Sequence, residues 1–127
     1  MEQTTTARGY TVHARSTDTF GRVLCSSRNH HFIVDGPVQN GCPGEAVTPA
    51  ELFLAGIAAC GVELLQSLAK EAQVALRSIR VEISGLLDRS KPVRTDVTVF
   101  NSVRLQFQLS GVTAAEGGDL IERFKGR

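Results

Sequence analysis

Cysteine is scarce in this chain, with three residues, Cys25, Cys42 and Cys60, in 127. An odd number at wide spacing argues against a structural disulfide framework and leaves at least one thiol free. C-x-x-C and H-x-x-x-H pairs are missing. His13, His30 and His31 do not supply the close ligand spacing of structural zinc, so no metal is expected. Adjacent histidines in a strand such as His30 and His31 point to opposite faces. Charge of one sign is missing as well. The formal net charge is +1 with scattered basic residues, which argues against a nucleic-acid footprint or a patch for an anionic membrane. No Gly-rich phosphate loop follows a strand, and neither G-x-S-x-G nor a Walker pattern occurs. The opening residues, MEQTTTARGY, lack the apolar core of a signal peptide, so a cytoplasmic location is expected.

What the chain does contain is organised around Thr48–Lys70, TPAELFLAGIAACGVELLQSLAK. Thr48 three residues before Glu51 is a capping box, and Pro49 suits the first helical position. From Leu52 to Leu65 the residues are apolar nearly all the way round, broken only by Gly56, Gly61 and Glu63. A helix without a wet face is buried on most sides, and this one is too mixed with small residues for a membrane span. A central core helix is expected. Cys60 lies in its middle, sharing a face with Phe53, Ile57 and Leu64. From the residues alone, that thiol is either a small core filler or a nucleophile at the floor of an apolar pocket.

The rest reads as one domain over residues 1–127, with 1–9 a polar, frayed lead-in. Two-residue alternation predicts strands over 10–16, 22–27 and 30–35, a small antiparallel meander. A Gly- and Pro-rich loop, GPVQNGCPGEAV, leads into the helix. Beyond it, Ser78–Leu87 alternates with Ile79, Val81 and Ile83 inward. Two further runs, TDVTVF and VRLQFQLS, are joined at Asn101-Ser102 and favour a hairpin there over a bulge in one long strand. Thr113 and Glu116 form a second capping box, starting a helix that runs to about Lys125 and stops at Gly126. Strands, helix, strands, helix make an α+β pattern. A helix apolar on every side needs more cover than one small sheet gives, which predicts a partner subunit with Gly56 and Gly61 as contact points.

The string TPAELFLAGIAAC and its mostly apolar continuation resemble the central-helix signature of the OsmC/Ohr family of thiol-dependent peroxidases. HFIVDGP upstream, ISG after the helix and LSGVT before the last helix follow in that family's order. The resemblance covers nearly the whole chain. It implies antiparallel sheets packed on a long buried central helix in an intertwined homodimer, with pockets at the subunit boundary. It further implies small organic hydroperoxides as substrate, a dithiol reductant, no cofactor, and Cys60 as the cysteine that peroxide attacks. Phe53, Ile57 and Leu64 would then line the apolar pocket.

Such chemistry needs a cation to keep the thiol ionised, because free cysteine has a pKa of about 8.5. Cys60 is nearly three turns inside its helix, where the macrodipole has faded, whereas arginine is always charged and can hold an oxygen anion. The position matching the family's arginine is Arg22, in TFGRV, with Arg28, in SRNHH, as the alternative. Three features depart from the family. Ala50 stands where the peroxidases carry a glutamate, and Glu51 is occupied by the cap and falls on the side of the helix away from Cys60. Glu63 lies one turn beyond Cys60, where an unpaired carboxylate would oppose ionisation of the thiol. The resolving cysteine, expected after the last helix in a Cys-Pro context, does not occur up to Arg127, leaving Cys42 as the better internal substitute and Cys25 without a role. The alternative is a non-catalytic dimer of the same fold that binds a small apolar ligand or senses oxidation through Cys60.

Overall fold

Arg28-Asn29 separates two runs of strand formers, and the chain folds back on itself there. In the computed structural model, which describes residues 6–126, β2 (Arg22–Ser27) and β3 (His30–Asp35) form an antiparallel hairpin. Its register pairs Ser27 with His30 at the turn and Arg22 with Asp35 at the far end. β1 (His13–Ser16) adds to the other edge of β2, giving the sheet order β1-β2-β3. The strand expected from Tyr10 begins only at His13 because β2 runs out: His13 pairs with Ser26, so Thr11 would lie opposite the turn. Tyr10 and Val12 are exposed. Of the lead-in expected over 1–9, residues 1–5 lie outside the described residues and 6–9 carry no regular element.

By its internal contacts the chain divides into two compact units, one up to Leu52 and one from Phe53 onward. The first holds the meander, the loop and the start of helix α1 (Pro49–Glu71). The capping box forms as expected. Thr48 Oγ1 accepts the Glu51 N–H at 3.3 Å, while Glu51 Oε1 accepts the Thr48 N–H at 3.0 Å and its hydroxyl at 2.9 Å. These bonds hold the Glu51 carboxyl below its ordinary value. Thr48→Ala removes the hydroxyl half of this cap and is expected to lower stability by about 1 kcal/mol in urea denaturation. An unchanged midpoint would mean the backbone N–H to Glu51 bond carries the cap alone.

In the second unit, β4 (Ser78–Leu86) and β5 (Ser102–Ser110) pair antiparallel, with Ile79, Val81 and Ile83 opposite Leu109, Phe107 and Leu105. α2 (Ala114–Lys125) follows, with the Thr113–Glu116 capping box present at its start and Gly126 at its end. The core is small: Leu65, Leu68 and Ala69 of α1 with Leu120 of α2, and Ile79, Phe107, Leu109 and Phe124 packed around them. The expected hairpin at Asn101-Ser102 does not form. Residues 94–100 make no strand, because β5 pairs with β4 and Asn101 works as a clamp on the connection. Its Oδ1 accepts the Asp88 N–H at 2.7 Å and its Nδ2 donates to the Lys91 carbonyl at 2.6 Å.

In the chain alone α1 buries Gly61, Leu65, Leu68 and Ala69, the stripe that one two-stranded sheet and one helix cover. One expectation about it needs correction: Gly61 is not open to another subunit. A Cβ there would sit 3.2 Å from Phe107 Cζ, so the glycine allows the ring of β5 to close on the helix. Gly56 has open space beside it. By length and composition α1 could cross a membrane, but its packing on β4, β5 and α2 is that of a core helix.

Candidate active site

Arg22 opens β2 and Asp35 closes β3, so the ladder sets them opposite each other. The guanidinium meets the carboxylate edge on: Nε donates to Oδ1 at 2.8 Å and Nη2 to Oδ2 at 2.9 Å. This two-pronged geometry is among the stronger ion-pair arrangements. Asp35 is 0% exposed, and its Oδ2 also accepts the backbone N–H groups of Glu45 and Ala46 at 3.0 and 2.9 Å. A buried charge is tolerable only when paired and hydrogen-bonded in this way. The hydrogen bonds from Arg22 hold the Asp35 carboxyl well below the carboxylate range against the opposing effect of desolvation, with the Ala46 and Glu45 amides adding to the shift. In turn, Asp35 first and Glu45 second push the already permanent charge of Arg22 further up.

Glu45 supplies the third member: its Oε1 accepts from Arg22 Nη2 at 2.8 Å, and its side chain is 77% exposed. Arg28, the alternative cation, is an exposed turn residue at φ +53°. Of the two candidates, only Arg22 is built into a charged cluster. Asp35 and Glu45 were not singled out from the sequence. Asp35 had a signal, since a two-residue turn at Arg28-Asn29 fixes the register that places it opposite Arg22. Glu45 had none, being one residue in a Gly- and Pro-rich loop.

Cys42 belongs to the same unit. It is half-buried, and its Sγ lies against Gly21 and Gly36, where any side chain would collide with it. Gly21, at φ +81°, also makes the turn into β2. Cys25 is buried on β2.

In the second unit, Cys60 is exposed on α1. In the single chain it lies on an open face of the helix. Phe53 is also exposed and stacks on Phe100 with ring centroids 5.7 Å apart, whereas Ile57 is half-buried and Leu64 packs against the core. Arg22 and Cys60 thus belong to different units, each with its own surroundings.

A family model described as OsmC-like protein matches residues 42–126, a span that includes α1 with Cys60, β4, β5 and α2. The chain belongs to the OsmC-like protein family. No curated protein sequence matches it, but solved structures do. An OsmC-like protein from Mycoplasma pneumoniae is 16% identical, with a TM-score of 0.79 over 94% of this chain and 82% of that one. The organic hydroperoxide resistance protein OsmC from Legionella pneumophila is 20% identical, with a TM-score of 0.71 over 94% and 84%. An organic hydroperoxide resistance protein from Elizabethkingia anophelis, with crystallant-derived thiocyanate bound, is 23% identical, with a TM-score of 0.69 over 95% and 84%. At these identities the likeness establishes the OsmC fold, an α+β arrangement of two antiparallel sheets and two helices.

Proposed function

We propose that this OsmC-like protein is a cytoplasmic homodimeric peroxidase that reduces small organic hydroperoxides through Cys60, with Arg22 as its activating cation. The observation that carries this reading is the solvent-accessible Cys60 thiol on the apolar side of the family's central helix. Family membership and the names of the Legionella and Elizabethkingia proteins support the substrate class. The apolar face that α1 leaves open in the single chain supports a second copy as its cover. Phe53 and Ile57, with Leu64 behind them, would then line the substrate side of the enclosed space.

In the reaction, the Cys60 thiolate attacks the distal oxygen of R–O–OH. An S–O bond forms, the O–O bond breaks, and the alkoxide leaves to take a proton as R–OH. Cysteine is oxidised to sulfenic acid and the peroxide reduced to alcohol. A thiol reductant condenses with the sulfenic acid, releasing water, and a second thiol frees Cys60 as the reductant becomes a disulfide. Ala50, in the place of the family's glutamate, favours a second reading, a non-catalytic dimer that binds an apolar ligand or reports oxidation. Stopped-flow mixing with cumene hydroperoxide, with sulfenate trapped at Cys60 and thiol-dependent turnover followed, separates the two. Turnover supports the enzyme. Sulfenate without turnover supports the sensor, and no reaction overturns both oxidative readings.

A further inference from the structure

The end of α1 and the start of β4 frame a small open cavity that the peroxidase reading leaves unused. Its volume is about 220 Å³, and its lining includes Ala69 and Lys70 of the helix, Val74, Leu76 and Arg77 of the connection, and Ile79 of β4. All of it lies within the second unit. Ala69 is buried, and Val74, Leu76 and Ile79 are half-buried against the core, so the floor is apolar. Lys70 and Arg77 are exposed, and neither makes an ion pair among the described residues. No carboxylate among the described residues lines the cavity, although Glu71 is the next residue on the helix.

Neither cation is occupied by the fold. A lysine in the last turn of a helix ordinarily answers the unpaired terminal carbonyls. Here the backbone answers them: the Leu68 carbonyl accepts from the Ala72 N–H at 3.0 Å, that of Ala69 from Val74 at 2.9 Å, and that of Lys70 from Gln73 at 3.2 Å, with Gln73 at φ +57°. Arg77 is held by its main chain. Its N–H donates to the Ser110 carbonyl at 2.9 Å, and Gly111, at φ +89°, lets the chain leaving β5 close on it. A Cβ on Gly111 would lie 2.8 Å from both the Arg77 N and its Cβ. The helix end and this clasp set the stems of two unopposed cations beside one apolar floor, an arrangement that favours an anion with an apolar part.

We infer that the cavity binds a small organic monocarboxylate with a short apolar tail. The carboxylate meets Arg77, whose planar fork matches it two-pronged, with Lys70 as a second charge. The tail lies on Ala69, Val74, Leu76 and Ile79. The cavity is smaller than the roughly 300–1,000 Å³ of sites for drug-sized ligands, which sets the ligand at about the size of hexanoate. Cys60 is more than two turns away along α1, and the inference does not depend on its chemistry.

Titration of the full chain with hexanoate, followed by NMR of its labelled Ala, Ile, Leu and Val methyls, tests this. Saturable shifts are expected at Ala69, Val74, Leu76 and Ile79, with a dissociation constant on the order of 1 mM. Acetate, which lacks the tail, and hexylamine, which reverses the charge, should each bind at least about 10-fold more weakly. Lys70→Gln and Arg77→Gln should each weaken hexanoate about 3- to 5-fold with the melting temperature unchanged, since both side chains are exposed. Equal binding of acetate would reduce the site to bare charge, and equal binding of hexylamine to bare apolar surface, and either overturns the inference. It is overturned too if hexanoate gives no saturable shift, moves the Leu54 and Ile57 methyls instead, or binds both variants as it binds wild type. No peroxide enters the titration, so its outcome stands apart from the presence or absence of turnover at Cys60.

Discussion

Cys60→Ser is expected to lose hydroperoxide reduction altogether, falling roughly 10³-fold or more to the rate of the uncatalysed mixture. A serine hydroxyl is un-ionised at neutral pH and has no sulfenic state, so neither attack on the O–O bond nor recycling by a thiol is open to it. The substitution is close to isosteric, and Cys60 is exposed with no part in the core, so the melting temperature should stay within a degree or two of wild type. That combination separates chemistry from folding. Peroxide consumption persisting in Cys60→Ser would transfer the activity to another thiol, and half-buried Cys42 would be the next candidate.

Much of the fold could be read from the sequence because its signals are local. Both capping boxes, the two-residue alternation of Ile79, Val81 and Ile83, and the Arg28-Asn29 turn each act within a few residues of chain. The elements read wrongly depend on a partner strand or surface that sequence does not display. Thr95–Phe100 alternates well enough for a strand, but β4 already has β5, and Asn101 ties the preceding segment into a connection. Gly61 looked like an approach point for another subunit, whereas Phe107 and Phe124 from the same unit fill that approach. The site divides along the same line. Cys60 came from the string TPAELFLAGIAAC, and Arg22 from a strand-turn position for which Arg28 was the alternative. Glu45 reaches Arg22 from 23 residues away through a loop without periodicity, and only coordinates reveal it.

Asp35 ties Arg22, Glu45 and Ala46 together in the first unit, and Asp35→Asn is expected to lower its melting temperature by roughly 5–10 °C at pH 7. The amide keeps one acceptor oxygen but turns an NH₂ towards Arg22 or towards the Glu45 and Ala46 N–H groups, placing donor against donor in a site with no exposed surface. Acid should expose the same carboxylate in the wild type. Its folded-state pKa is depressed, so above about pH 4 the group is ionised in both states and its stabilisation is fully present. As pH falls below that, the unfolded chain binds a proton the native chain refuses, and the stabilisation is progressively lost. Glu51, Asp88 and Asp96 are also depressed and give both proteins some acid slope, so the difference between the two isolates Asp35. Melting curves from pH 7 to about pH 2.5 should therefore converge below about pH 4. A gap that stays constant down to the lowest pH would mean that the Asn substitution acts through shape alone, and that the ion pair beneath Arg22 contributes nothing to holding the meander and its loop together.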